Sequence, residues 1–139
     1  MTKRVAVHES TFQAECVKAF NAPGRATRVF RVNAGKHVIR DELGQKQSVV
    51  QGAPDGCPDL IGWVRGPSPT AKTAGWFLGI ELKSATAPYT EEQERWGVRI
   101  IEAGGVYAFC RYDEACSLEE NVASAVATVD RKIEERKLA

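Results

Sequence analysis

The sequence predicts an α/β domain, a mixed central sheet flanked by helices in the order α-β-β-β-α-β-α. Three observations carry that expectation. Two apolar runs, "DLIGWV" (59–64) and "WFLGIELK" (76–83), flank the turn-rich "RGPSPTAKTAG" and read as a hairpin with a long connection. The second run leads into a helix with both ends marked and then another apolar run, the pattern of a crossover between parallel strands. Helical segments near both ends of the chain supply covering layers. A length of 139 residues suits one domain spanning 1–139, and no internal repeat or low-complexity linker divides it.

In chain order, "ESTFQAECVKAF" (9–20) is an amphipathic helix, with Phe12, Cys16 and Phe20 at four-residue spacing. "NAPGR" stops it. "TRVFRVN" (27–33) fits a strand, ended by Ala34-Gly35. Segment 36–51 is ambiguous: "KQSVVQ" suits a short strand or an ordered loop. In "APYTEEQERWGVRIIEAGG", Thr90 and Gln93 match a capping box, and Gly104-Gly105 end the helix. "VYAFCRY" (106–112) is the following strand. A last helix runs from about 118 to 136, its apolar stripe completing the core or forming an interface.

Composition excludes little: 43% hydrophobic, 27% charged and a formal net charge of +1 describe an ordinary folded domain. Basic residues outnumber acids over 1–46, and Arg25, Arg28, Arg31, Lys36 and Arg40 form the densest run, a candidate phosphate-binding surface. Cys16, Cys57, Cys110 and Cys116 lack paired metal-ligand spacing and read as reduced thiols. No apolar segment approaches a membrane span or a signal peptide, so a cytoplasmic location is expected.

Chemistry concentrates at "GCPDLIG" and "GWFLGIELKS". Glu81 and Lys83, two apart on a strand, share a face, which by the same parity also carries Phe77 and Gly79. Gly79 is expected to leave open space beside the carboxylate. A buried charge is costly unless it is paired or bound to a metal. A local Glu81–Lys83 ion pair is one answer; the other adds Asp59 from the neighbouring strand, with a divalent cation between the carboxylates. An oxygen-rich set favours magnesium or manganese over zinc. Asp55, followed by Gly56, reads as a turn residue, whereas Asp59 leads directly into a strand. Glu9 is either a favourable first-turn acid or a further metal contact. Gln93 is either a capping residue or a lining of the cleft. Trp63, Trp76 and Trp96 are expected in the core rather than as stacking platforms. No Walker or dinucleotide glycine pattern is present.

With those residues in view, "GCPDLIG", "GWFLGIELKS" and "YTEEQERWGVRIIEAGGVYAFCR" together resemble the VRR-NUC family of the PD-(D/E)XK nuclease superfamily. The likeness is closest to short stand-alone phage and bacterial members and covers about 9–116. "FRVNAG" resembles the family's Arg-x-Asn-x-x-Gly region, with Arg31, Asn33 and Gly35 at shorter spacing. The resemblance implies a restriction-endonuclease-like core, Asp59 and Glu81 as metal ligands, and the backbone carbonyl of Leu82 as an additional ligand. It implies Lys83 as the catalytic lysine, Gln93 as the helix-borne family residue and Glu9 as the first-helix acid. It further implies hydrolysis of DNA with magnesium or manganese by a homodimer resembling Holliday-junction resolvases, with Arg25, Arg28, Arg31 and Lys36 near the DNA. A nuclease preferring flap, nicked or duplex DNA, and a non-catalytic DNA-binding or assembly module, are the alternatives.

Overall fold

The computed structural model describes residues 8–33, 35–66 and 75–139. Its elements are α1 (Glu9–Phe20), β1 (Thr27–Arg31), β2 (Lys36–Arg40), β3 (Lys46–Gln51), β4 (Leu60–Val64), β5 (Trp76–Lys83), α2 (Glu91–Glu102), β6 (Val106–Arg111) and α3 (Leu118–Leu138). The expected fold class holds. The ambiguous segment 36–51 adds two strands, β2 and β3, which form a separate antiparallel ribbon. Most of the connection between β4 and β5 (67–74) lies outside the described residues.

The main sheet has the order β1-β4-β5-β6. β1 and β5 pair antiparallel to β4, as a hairpin requires, and β6 lies parallel to β5 across the α2 crossover. Strand alternation sends Leu60, Leu78, Ile80 and Leu82 to one face, where Phe12, Cys16 and Phe20 of α1 meet Ala125, Val129 and Ile133 of α3. Fully burying each large apolar side chain there contributes roughly 1.5–3 kcal/mol. The stripe of α3 therefore completes this chain's own core.

Side-chain bonds lock α1 to the sheet edge. Asn21, just past the helix, accepts from Val29 N and donates to Val29 O, both at 2.8 Å. Buried Thr27 donates its hydroxyl to the Phe20 carbonyl at 2.7 Å, satisfying a free helix-end acceptor. β1 ends at Arg31, shorter than the expected 27–33, because the chain then leaves the sheet for the ribbon.

α2 covers the opposite face, over β5 and β6. Two close approaches set its distance. A Cβ on Gly79 would come within 2.8 Å of Ile100 Cδ1 and 3.0 Å of Pro58 Cγ. The expected open space beside the carboxylate is thus filled, and Gly79 is where helix and loop press onto the strand. A Cβ on Gly97 would lie 2.5 Å from Tyr107 Cε1, an atom of a buried ring whose hydroxyl is bonded to Tyr89 at 2.9 Å. The aromatic expectation is corrected at Trp63, which is 53% exposed. The sheet face it shares with Phe77 extends beyond the cover of α2. Trp76 and Trp96 are half-buried, and each has a partner: Arg136 stacks over Trp76 at 4.7 Å, and Trp96 Nε1 donates to Asp55 O at 3.1 Å.

Gly97→Val should force the Tyr107 ring to move. We expect a loss of about 1–3 kcal/mol from overpacking, read as a lower urea midpoint with unchanged slope.

Candidate active site

The site lies at the C-terminal end of β5, under the start of α2. Asp59 immediately precedes β4, and antiparallel pairing of Leu60 with Ile80 brings it beside the end of β5. Its Oδ2 accepts from the Leu82 backbone N–H at 2.8 Å, fixing the carboxylate across the strands. Its own carbonyl accepts from Val32 N at 2.9 Å. Asp55 sits in the preceding turn, where Gly56 takes a φ of 83°, as its sequence setting suggested.

Glu81 is 2% exposed. Its Oε1 accepts from Gln93 Nε2 at 3.1 Å and lies 3.7 Å from Lys83 Nζ. Its Oε2 is buried with no hydrogen-bond partner. Burial, then the neighbouring Asp59 carboxylate, through its charge and the hydrogen bond it takes from the protonated acid, push Glu81 up to about 9, with Lys83 opposing the rise and Glu9 adding to it. Glu9, at the first turn of α1, remains solvent-accessible; partial burial and the Asp59 charge raise its pKa, and Lys83 again opposes. All four groups thus share one electrostatic environment, which sequence spacing could not show for Glu9.

Gln93 performs both of the roles that its sequence position suggested. Its Oε1 accepts from Thr90 N at 2.9 Å and its backbone N–H donates to Thr90 Oγ1 at 3.3 Å, closing the capping box. The other end of the same amide donates to Glu81. One residue therefore caps α2 and satisfies one oxygen of the buried carboxylate.

The predicted basic residues differ in what holds them. Arg25 makes a bidentate ion pair with Asp130 of α3, at 2.7 and 3.2 Å, and lies over the Phe20 ring. Arg28 donates to the carbonyls of Arg25 and Thr27. Arg31 and Lys36 are exposed, at the end of β1 and the start of β2. Two further groups approach the carboxylates. Cys57, partly buried, has its thiol pKa raised by burial and then by Glu81 and Asp59. Tyr107, on the Glu81 side of the sheet, has its phenol pKa raised chiefly by burial, with smaller contributions that include Glu81 and Asp59. The placement of Cys57 inside "GCPDL" was a signal; for Tyr107 only the parallel register supplies one.

The residues present fit a divalent cation. Two carboxylates stand close enough to repel, and one of their oxygens is buried without a partner. Among the described residues, no three His, Cys, Asp or Glu side chains converge as a complete shell. A cation here would draw on the carboxylate oxygens of Asp59 and Glu81, with main chain and water to complete its coordination, an all-oxygen set of the kind hard divalent cations take.

The VRR-NUC domain family matches residues 3–114. The chain belongs to the VRR-NUC family. No curated protein matches it. A VRR-NUC domain is a nuclease domain with DNA as its implied substrate, and PD-(D/E)XK-like nucleases generally use divalent metals. No described helix is long and apolar enough to cross a membrane.

The buried pair has a pH signature. Without metal, folded Glu81 keeps a proton that the unfolded chain releases near 4.5. Its contribution to stability is full below that value and is lost as pH rises towards about 9. Thermal melts in EDTA should therefore show stability falling across this window. Glu81→Gln should flatten the slope and melt above the parent at the alkaline end.

Proposed function

We propose that this VRR-NUC domain is a metal-dependent DNA endonuclease whose reacting groups are Asp59, Glu81 and Lys83. Its leading substrate is branched DNA, a four-way junction cut by a homodimer. The observation that carries the catalytic reading is the partnerless buried oxygen of Glu81, facing a second carboxylate, with Lys83 and Gln93 converging on the same group.

A bound magnesium or manganese ion supplies positive charge that polarises the phosphodiester and eases deprotonation of water. Asp59 and Glu81 would hold it, with the Leu82 backbone carbonyl as an additional ligand and Glu9 as a further contact. The Leu82 N–H keeps Asp59 in place while Gln93 keeps Glu81 in place. Lys83, with only 12% of its side chain exposed, offers a poorly screened cation for the charge that develops on the phosphate. Water attacks in line, leaving a 5′-phosphate and a 3′-hydroxyl.

Two features support the homodimer. One chain carries one such site, whereas symmetric cutting of a four-way junction needs two. An aromatic strip is also left open on the sheet. Register partners Trp63 and Phe77 are 53% and 47% exposed, and Phe30 on β1 is 52% exposed.

The reaction is tested with labelled four-way junction, linear duplex and flap substrates in magnesium, manganese or EDTA. We expect paired, metal-dependent cuts at the junction, reduced at least about 10²-fold in Glu81→Ala and Lys83→Ala. Cleavage of flaps or linear duplex instead would discard the junction preference and keep the site. No cleavage with any metal, with unchanged DNA binding in both variants, would identify a binding module.

The metal reading has its own readout. Manganese should raise the melting temperature of the wild type at neutral pH and release protons on binding, because Glu81 must ionise. Both effects should disappear in Glu81→Gln.

A further inference from the structure

The β2–β3 ribbon stands apart from the rest of the fold. Every residue of both strands is exposed, including Val38, Ile39, Val49 and Val50. A two-stranded ribbon with no covering layer is marginal in water by itself.

Its root leads to the active site. Gly52 N donates to Gly35 O at 2.8 Å, Ala53 N to Asn33 O at 2.8 Å, and Gly35 N to Ala53 O at 2.9 Å. A Cβ on Gly52 would overlap the Asn33 carbonyl, so this junction is closely packed. From there one strand of the root continues into Val32, which is bonded to Asp59, and the other runs through the turn to Asp59 itself.

Its cations stand at its root, Lys36, and near its tip, Arg40 and Lys46. Lys36 and Val38 pair with Gln51 and Val49 on one face, and a register shift between Ile39 and Arg40 then sets Arg40 opposite Lys46. Arg40 and Lys46 are direct cross-strand partners, and like charges in that relation destabilise a ribbon. Asp41 does not neutralise them through an ion pair: its Oδ1 accepts from Leu43 N and Gln45 N, both at 2.9 Å, to build the tip turn. Arg40 also donates from its Nη1 to Gly44 O at 3.1 Å, so the ribbon combines exposed apolar side chains with like charges held near its tip, a combination relieved by a polyanion with a groove. The major groove of B-form DNA admits a two-stranded β-ribbon between its phosphate walls.

We propose that the β2–β3 ribbon is a duplex-docking arm. It enters the major groove of one arm of the DNA, with Lys36, Arg40 and Lys46 on phosphates, and presents the adjoining strand to Asp59 and Glu81. This inference rests on the DNA-nuclease reading and assigns that site its duplex contact.

The test uses binding alone, in the Glu81→Gln background without metal, so that it does not depend on cleavage. Arg40→Ala/Lys46→Ala is compared with an arm deletion in which Asn-Gly replaces 37–50 between the paired Lys36 and Gln51. Folding is checked by melting. For duplex-armed DNA we expect the double substitution to weaken affinity at least about 10-fold and to reduce the salt-dependence slope by about 2, one for each cation taken off a phosphate. Affinity for a single-stranded oligonucleotide should change far less. Unchanged duplex affinity and slope would overturn the arm. An equal loss on single and double strands would overturn its groove placement. A shift of the arm deletion from dimer to monomer in sedimentation, with duplex affinity per chain intact, would make the ribbon a contact between copies and overturn it too. Failure of the nuclease reading appears separately, as absence of cleavage by the wild type with any metal.

Discussion

The buried carboxylate of Glu81 beside Asp59 is the constraint on which the site and its surroundings depend. A charge withdrawn from water must be compensated, and here the compensation is partial by construction. Gln93 and Lys83 address one oxygen while the other remains without a partner. The metal-free fold meets this by favouring the protonated acid. Under the proposed function, a divalent cation would meet it differently, by replacing the proton and holding both carboxylates in their ionised form. The same burial that makes Glu81 costly is what a bound metal would relieve.

That compensation ties the placement of α2 to the site. Gln93 reaches Glu81 only if the first turn of the helix lies close above the end of β5. Two glycines permit that approach, Gly79 beneath Ile100 and Pro58, and Gly97 against the Tyr107 ring. The capping box aims the Gln93 amide, since fixing its oxygen on Thr90 N turns its nitrogen towards Glu81. Helix termination, helix packing and carboxylate positioning are therefore one coupled arrangement. The opposite face of the sheet carries the apolar core of α1 and α3, so the layer that supplies stability is separate from the layer that holds the charge.

Much of this was legible in the sequence because it rests on local rules. Four-residue spacing of Phe12, Cys16 and Phe20 marked α1, and Thr90 with Gln93 marked the start of α2. Parity along β5 placed Glu81 and Lys83 on one face. The misses came from contacts between elements. Gly79 looked like open space because its sequence neighbours say nothing of Ile100 or Pro58. Trp63 looked like core because an aromatic residue in a strand usually is, yet α2 covers only part of that face. Segment 36–51 stayed ambiguous because both its faces are exposed, and no apolar alternation marks a strand that packs on nothing. Arg25 looked like its basic neighbours, yet it is paired with Asp130, more than a hundred residues away.

By itself the sequence determined the helices, the strands of the main sheet, the family resemblance and the chemical identity of the carboxylates and lysine, because periodicity, capping and residue type are properties of neighbouring positions. Only the tertiary structure decided that Gln93 both caps its helix and holds Glu81, that Glu9 shares their field, and that a basic ribbon is rooted beside Asp59. Those relations depend on distances between segments far apart in the chain, and such distances are set by packing.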